Sequence, residues 1–159
     1  MVSTLFAAVT TPLWHAELMK FDLERLPESV LDELGARHLA TLATTRANGT
    51  THLVPVGFTY DPSTKTARVT TSVTSVKVRN IENAEMAGGS ARASICQLNG
   101  PSWLTLEGTI RLSRDPAEIA EAVRRYAVRY RQPRENPRRI ALVMQVDSMM
   151  GHVTTAGTA

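Results

Sequence analysis

Between Ser102 and Leu112 the chain alternates in character without interruption. Leu104, Leu106, Ile110 and Leu112 fall on one side, and Trp103, Thr105, Glu107, Thr109 and Arg111 on the other. A period of two marks a strand with one face in a core and the other turned away from it. Such a strand needs partners along both edges, and the sequence supplies them. His38–Thr45, Thr50–Tyr60, Ala67–Ser72, Ala91–Leu98 and Ile140–Val146 are short, apolar or β-branched runs bounded by turn residues. Arg46-Ala47-Asn48-Gly49 joins the first two as a hairpin, Asp61-Pro62-Ser63-Thr64-Lys65 follows the second, and Asn99-Gly100-Pro101 leads into the alternating strand.

Two segments have helical spacing instead. Pro27–Leu34 places Val30, Leu31 and Leu34 on one stripe with a proline in the first turn, and Gly35 stops it. Asp115-Pro116-Ala117-Glu118 opens a second helix with a capping Asp and a Pro at its first position. Ile119, Val123, Tyr126 and Tyr130 form its inward stripe. Residues 84–90, with Gly88-Gly89, read as a loop. The sum is a mainly β fold. Six antiparallel strands run in meander order, with an N-terminal helix and a helix before the last strand, curled into a small barrel to remove exposed edges and paired with a second copy.

The 159 residues suit one domain. We expect an arm at 1–24, the barrel at 25–153 and a tail at 154–159. Leu5–Val9 is a poor export signal, since no cation precedes it and Thr10, Thr11 and Pro12 cut it short. The first twenty residues read as a loosely ordered arm, or as upstream sequence before a start at Met19. No run approaches the roughly 20 apolar residues of a membrane helix. The single Cys96 excludes an intramolecular disulfide and fits a reducing, cytoplasmic setting.

The net charge of +3 conceals a local excess. Arg124, Arg125, Arg129, Arg131, Arg134, Arg138 and Arg139 stand within sixteen residues beside one acid, Glu135, so this segment carries +6 and the remainder −3. It is either a solvated helix face or a clamp for an anion. RNA binding would need exposed stacking aromatics next to it, whereas Tyr126 and Tyr130 read as buried; no nucleic-acid partner is expected. A second cluster lies at Thr70-Thr71-Ser72 with Ser75, Lys77, Arg79 and Asn80. Hydroxyls, two cations and the N–H groups of a starting helix converge there, either as a phosphate site or as a capped surface turn. Pro55 and Gly57 give their strand an edge position, with either a bulge or a flat ligand against its backbone. Trp103, on the polar side of its strand, serves a ring ligand or a subunit interface. His15, His38, His52 and His152 are scattered, with no spacing for a metal, and no residue stands out as an obligatory acid, base or nucleophile.

His38–Thr44, Val56–Pro62, Ser75-Val76-Lys77-Val78-Arg79-Asn80, Trp103-Leu104-Thr105-Leu106-Glu107-Gly108, Arg125-Tyr126, Arg129-Tyr130-Arg131 and Pro133–Arg139 together resemble the deazaflavin-dependent oxidoreductases of the pyridoxamine-phosphate-oxidase-like split β-barrel superfamily. The resemblance spans about residues 25–153. It implies a homodimer with sites in grooves at the subunit interface, coenzyme F420 as cofactor (FMN as the alternative), and hydride transfer to a small conjugated acceptor of the biliverdin kind. By position it implies that His52, Val54, Pro55, Val56 and Gly57 line the ring and that Thr70, Thr71 and Ser72 hydrogen-bond it or its ribityl chain. Ser75, Lys77, Val78, Arg79 and Asn80 would take the phosphate and the start of the tail, with Lys77 as the principal ligand. Trp103 would complete the pocket, and Arg129, Arg131 and Arg138 would pair with substrate carboxylates. FMN lacks the long anionic tail and would leave the surplus arginines without a use. The loop at Met86–Ser90 departs from the family pattern and, beside the strand of Trp103, would reshape the substrate end.

Overall fold

The computed structural model describes residues 19–154. Residues 1–18 of the arm expected at 1–24, and 155–159 of the tail expected at 154–159, lie outside the described residues. The elements are β1 (Met19–Lys20), α1 (Glu28–Gly35), β2 (Ala40–Thr45), β3 (Thr51–Val56), β4 (Thr59–Asp61), β5 (Thr66–Ser72), α2 (Val76–Met86), β6 (Ala91–Asn99), β7 (Ser102–Ser113), α3 (Pro116–Arg129) and β8 (Arg139–His152).

The sheet runs β3-β2-β6-β7-β8-β5-β4, antiparallel throughout, with β1 paired to the far end of β8. Six strands in meander order were expected; seven lie on this path, and β2 next to β6 and β5 next to β8 are not sequence neighbours. The count differs because the run Thr50–Tyr60 breaks at Gly57-Phe58. There the chain leaves β2 for β5, crossing from one end of the path to the other and drawing the sheet into a split barrel. Tyr130 and Arg129 fix the break. The Phe58 N–H donates to the Tyr130 hydroxyl at 3.2 Å, and the Phe58 carbonyl accepts from Arg129 at 2.6 Å, so neither group is left for a ladder. Facing consequently flips after the break. Val54 and Val56 point inward as expected, but Thr59 and Asp61 replace Tyr60 as the buried residues of β4.

The barrel core holds Leu42, Phe58, Ile95, Leu104, Leu106, Ile110, Leu142, Met144 and Met149. The alternation read along β7 is therefore correct, and Glu107/Gly108 adds a bulge opposite β8. β8 is buried on both faces, since Ala141 and Val143 turn outward beneath Ala122 and Ile119 of α3. The helices differ from expectation in three ways. Leu31 is exposed while Val30 and Leu34 are buried. The Tyr126 and Tyr130 stripe is only half-buried. A third helix, α2, extends through the predicted loop to Met86, because Val78 and Ile81 give it an inward face. The domain also begins earlier than residue 25, because Phe21 enters the core and donates its N–H to Met149.

Local chemistry sets the ends. Gly49 takes φ +82° to close the Arg46–Gly49 turn, and Thr50 donates to the Asn48 side chain. Asp115 caps α3 by accepting from Ala117 N–H at 3.1 Å. Arg125 then binds α3 to β4 through Asp61 at 2.6 Å. The Ser63 hydroxyl and, next among the favourable contacts, the Arg125 guanidinium hold the Asp61 carboxyl below the usual carboxylate range despite its burial.

Candidate anion-binding groove

α2 starts directly beyond the end of β5. Its first turn carries no acid, and Ser75, at the cap position, makes no side-chain capping bond. Among the described residues the N–H groups of Val76 and Lys77 have no backbone acceptor. The helix thus presents open donors and the positive end of its dipole. Lys77, in that first turn, is half-buried, its ammonium pushed below its ordinary pKa by desolvation, with no carboxylate in ion-pair range among the described residues. A buried cation with nothing opposite it is costly unless an anion supplies the partner. Thr71 donates to the Ser75 hydroxyl at 3.2 Å, and Ser72 and Thr74 share a hydrogen bond at 3.3 Å, so the hydroxyls sit together at the strand end.

Across β8 the same strand end meets the basic loop. Ser72 pairs with Arg139, and Val73 N–H donates to the Arg138 carbonyl at 3.0 Å. Between them opens a groove of about 890 Å³, lined by Ser72, Tyr126, Arg131, Arg134, Arg138 and Arg139 with the intervening loop residues. None of these four arginines forms an ion pair among the described residues. Two clusters far apart in sequence therefore form one cationic surface.

The structure divides the predicted site residues. Thr70, Thr71, Ser72, Ser75 and Lys77 gather at the strand end, and Arg131 and Arg138 join them through the loop; Arg79 is exposed on α2. Gly57 follows β3 directly and packs against Tyr126 of the groove, so a ligand is not what demands its missing side chain. A Cβ there would stand 2.7 Å from the Tyr126 ring and 3.2 Å from Tyr130. Pro55 lies exposed on β3, which ends the sheet path, so the edge reading holds. His52 contacts Arg46 at 3.2 Å, near the hairpin turn.

Other assignments need correction. The Val78 side chain is 0% exposed and belongs to the core. Asn80 is buried and donates to Thr44 at 2.9 Å, fastening α2 to β2. Arg129 is not free for a substrate carboxylate. Its guanidinium donates to Ala36, Phe58 and Gln97 and stacks over Phe58, because it lies on the inner side of α3. Arg124 and Arg125 are likewise taken up by Glu121 and Asp61. Trp103 pairs with His152 at the opposite end of β8 from Arg139, roughly 40 Å along that strand, so it does not reach Lys77 within one chain. The 87–90 loop leads into the Ala91–Ile110 end of the β6–β7 ladder, beside the strand of Trp103 as expected but at the end away from the tryptophan itself. Tyr126 is the groove residue the sequence reading missed. Its helical spacing matched a core stripe, and only the glycine opposite it reveals the ring's position.

The split barrel thus sets a lysine without an ion pair at the start of α2, just beyond the strand end where Ser72 lines a groove rich in arginine. Residues 26–152 match the model of the pyridoxamine 5'-phosphate oxidase family, and the chain belongs to that family. It is 42% identical over 127 residues to the F420H2-dependent biliverdin reductase of Mycobacterium tuberculosis, a match covering 80% of this chain and 88% of that protein. Among solved structures it resembles an F420 reductase (TM-score 0.61, 21% identity, 78% of this chain and 98% of that one). It also resembles a conserved hypothetical protein of Mycobacterium tuberculosis (TM-score 0.64, 16% identity, 84% and 94%). These two likenesses speak for the fold.

Proposed function

We propose that the chain is a coenzyme F420-dependent reductase that passes a hydride to a small conjugated acceptor, and that biliverdin, the substrate in the relative's name, is the first acceptor to test. The observation that carries this reading is that Ser72, at the strand end that leads to Lys77, also lines the arginine groove. One phosphate accounts for Lys77 and the open end of α2, but the guanidiniums of Arg131, Arg134 and Arg138, unpaired among the described residues, call for a longer polyanion.

The donor set fits such a cofactor. Lys77 and the first N–H groups of α2 hold the phosphate, Thr70, Thr71 and Ser72 orient the polyol next to it, and Arg131, Arg134 and Arg138 receive the carboxylates of the tail. His52–Gly57 flanks the ring. Bound and reduced, the deazaflavin supplies the hydride; the protein contributes binding, orientation and electrostatic screening. No acid or base side chain faces the acceptor in this scheme, so the proton comes from solvent or from a water held by arginine. With its free thiol Cys96 the protein works in the cytoplasm, and no helix among the described residues is long and apolar enough to cross a membrane.

A fluorescence titration of the purified protein with F420 and, in parallel, FMN tests the assignment. The deazaflavin is expected to bind about tenfold tighter or better, because FMN leaves the loop arginines unpaired. Reduced F420 should then bleach biliverdin absorbance only in the presence of the protein. Preference for FMN would move the chain to the oxidase-like branch of the family, and tight F420 binding without turnover of any acceptor would make it a carrier.

The working unit in this proposal is a homodimer. Leu53 on β3 and Leu98 on β6 are 63% and 65% exposed on the outer face of the sheet, and Trp103 on β7 shares that face. Apolar side chains grouped this way favour a second copy over water. A dimer also explains Trp103, which would enter the partner's site. Sedimentation should show a dimer that Leu98→Glu dissociates with loss of F420 affinity; a native monomer overturns the dimeric arrangement.

A further inference from the structure

We propose that Arg129 is a positioning residue whose hydrogen-bond fork holds the arginine loop in the shape that selects a polyanionic cofactor tail. The inference rests on the reading of the groove as an F420 site. Arg129 is the last residue of α3, one position before the loop begins. Its Nε donates to the Ala36 carbonyl at 2.9 Å, one Nη to the Phe58 carbonyl at 2.6 Å, and the other to Gln97 Oε1 at 2.6 Å. The plane covers the Phe58 ring at 4.6 Å. Gln97 is fully buried and in turn donates to the Glu33 carbonyl and carboxylate, both at 2.8 Å. One guanidinium thus ties together the segment after α1, the β3–β4 break and the middle of the sheet.

In the loop that follows, residues 131–133 make no hydrogen bond among the described residues, while Asn136 accepts from the Arg138 and Arg139 N–H groups and the Arg134 carbonyl from the Arg139 guanidinium. Tyr130 donates to the His38 carbonyl at 2.7 Å, and the far end is held where Val73 N–H reaches the Arg138 carbonyl. Residues 131–137 span the distance between these anchors, and three of the arginines offered to the tail stand on that span or at its end. Where the span starts, and so where Arg131 stands relative to Arg134 and Arg138, is therefore set by where Arg129 fixes the end of α3. A lysine keeps the charge but cannot serve three acceptors in a planar fork.

The test uses the full chain with Arg129→Lys, and Gln97→Leu as a milder variant that removes one arm of the fork. Tryptic cleavage after Arg131, Arg134 and Arg138 under native conditions reports loop opening. It is expected to quicken about tenfold in Arg129→Lys, with a smaller rise in Gln97→Leu. The Kd for F420 should rise about fivefold to tenfold. The Kd for the deazaflavin riboside, which lacks phosphate and glutamates, should stay within about twofold. Unchanged cleavage in both variants overturns the proposal. So does a parallel loss of affinity for both ligands together with a fall in Tm, which would mean a purely structural residue. If the native protein binds no F420, the functional reading fails; the cleavage rates still decide whether Arg129 holds the loop.

Discussion

Replacing Lys77 by methionine is expected to weaken F420 binding by roughly 10- to 150-fold, the loss of one hydrogen-bonded charge pair at about 1.5–3 kcal/mol. FMN binding should fall comparably, since both cofactors carry the phosphate, whereas the riboside should bind as before. The same substitution should not harm the fold. Desolvation lowers the Lys77 pKa in the folded chain, so the unfolded state binds this proton more readily. The resulting penalty is fully present below the folded pKa and is relieved as pH rises through it toward the ordinary lysine value. The methionine variant should therefore be at least as stable as the native chain at neutral pH, and should lack this gain in stability at alkaline pH. Isothermal titration with the three ligands, and thermal melts between neutral and alkaline pH, check both effects. Unchanged affinity for F420 would remove the end of β5 from the site.

Gly108→Ala is expected to destabilise the protein by about 3 kcal/mol or more, enough to reduce soluble yield. A Cβ at this position would stand 2.0 Å from the Gln145 carbonyl oxygen and 3.0 Å from the Val146 Cα. Both are backbone atoms of β8, paired to β7 at the Glu107/Gly108 bulge, so no side-chain rotation relieves the clash. By contrast, Gly57→Ala meets the Tyr126 and Tyr130 rings. Rings can shift, so the cost to the fold should be smaller and the groove that Tyr126 lines should change first. Urea denaturation measures the first effect; near-native stability of Gly108→Ala would contradict the pairing of Gly108 with Val146 across β7 and β8.

The elements of this fold that were legible in the sequence are those whose signal is local. Alternation from Trp103 to Leu112 marks β7, Asp115-Pro116 marks the start of α3, and Asn48-Gly49 marks the hairpin, each through a periodicity or turn preference contained within a few residues. The grouping of hydroxyls at the end of β5 with the start of a helix was legible for the same reason, since Thr70–Lys77 lies in one stretch. The helix through Met86 was less legible because its two buried apolar residues sit among polar ones, and the Gly-Gly pair drew the loop too early. Val78 and Asn80 fell within a chemically suggestive run. Nothing in that run reveals that one faces the core and the other fastens α2 to β2.

Arg129 and Arg131 look alike in the sequence, two arginines on either side of one tyrosine. The fold separates them, because α3 turns Arg129 inward onto Phe58 and Gln97 while the chain leaves the helix before Arg131. The sequence by itself determined most of the strands, the helix starts, the local excess of positive charge and the family. Only the tertiary structure decided which charges are already paired, that Ser72 and Arg138 border one groove, and that Trp103 lies at the other end of β8. Periodicity is a property of neighbours along the chain, whereas the pairing of a guanidinium depends on acceptors such as Phe58 and Gln97, 71 and 32 residues away.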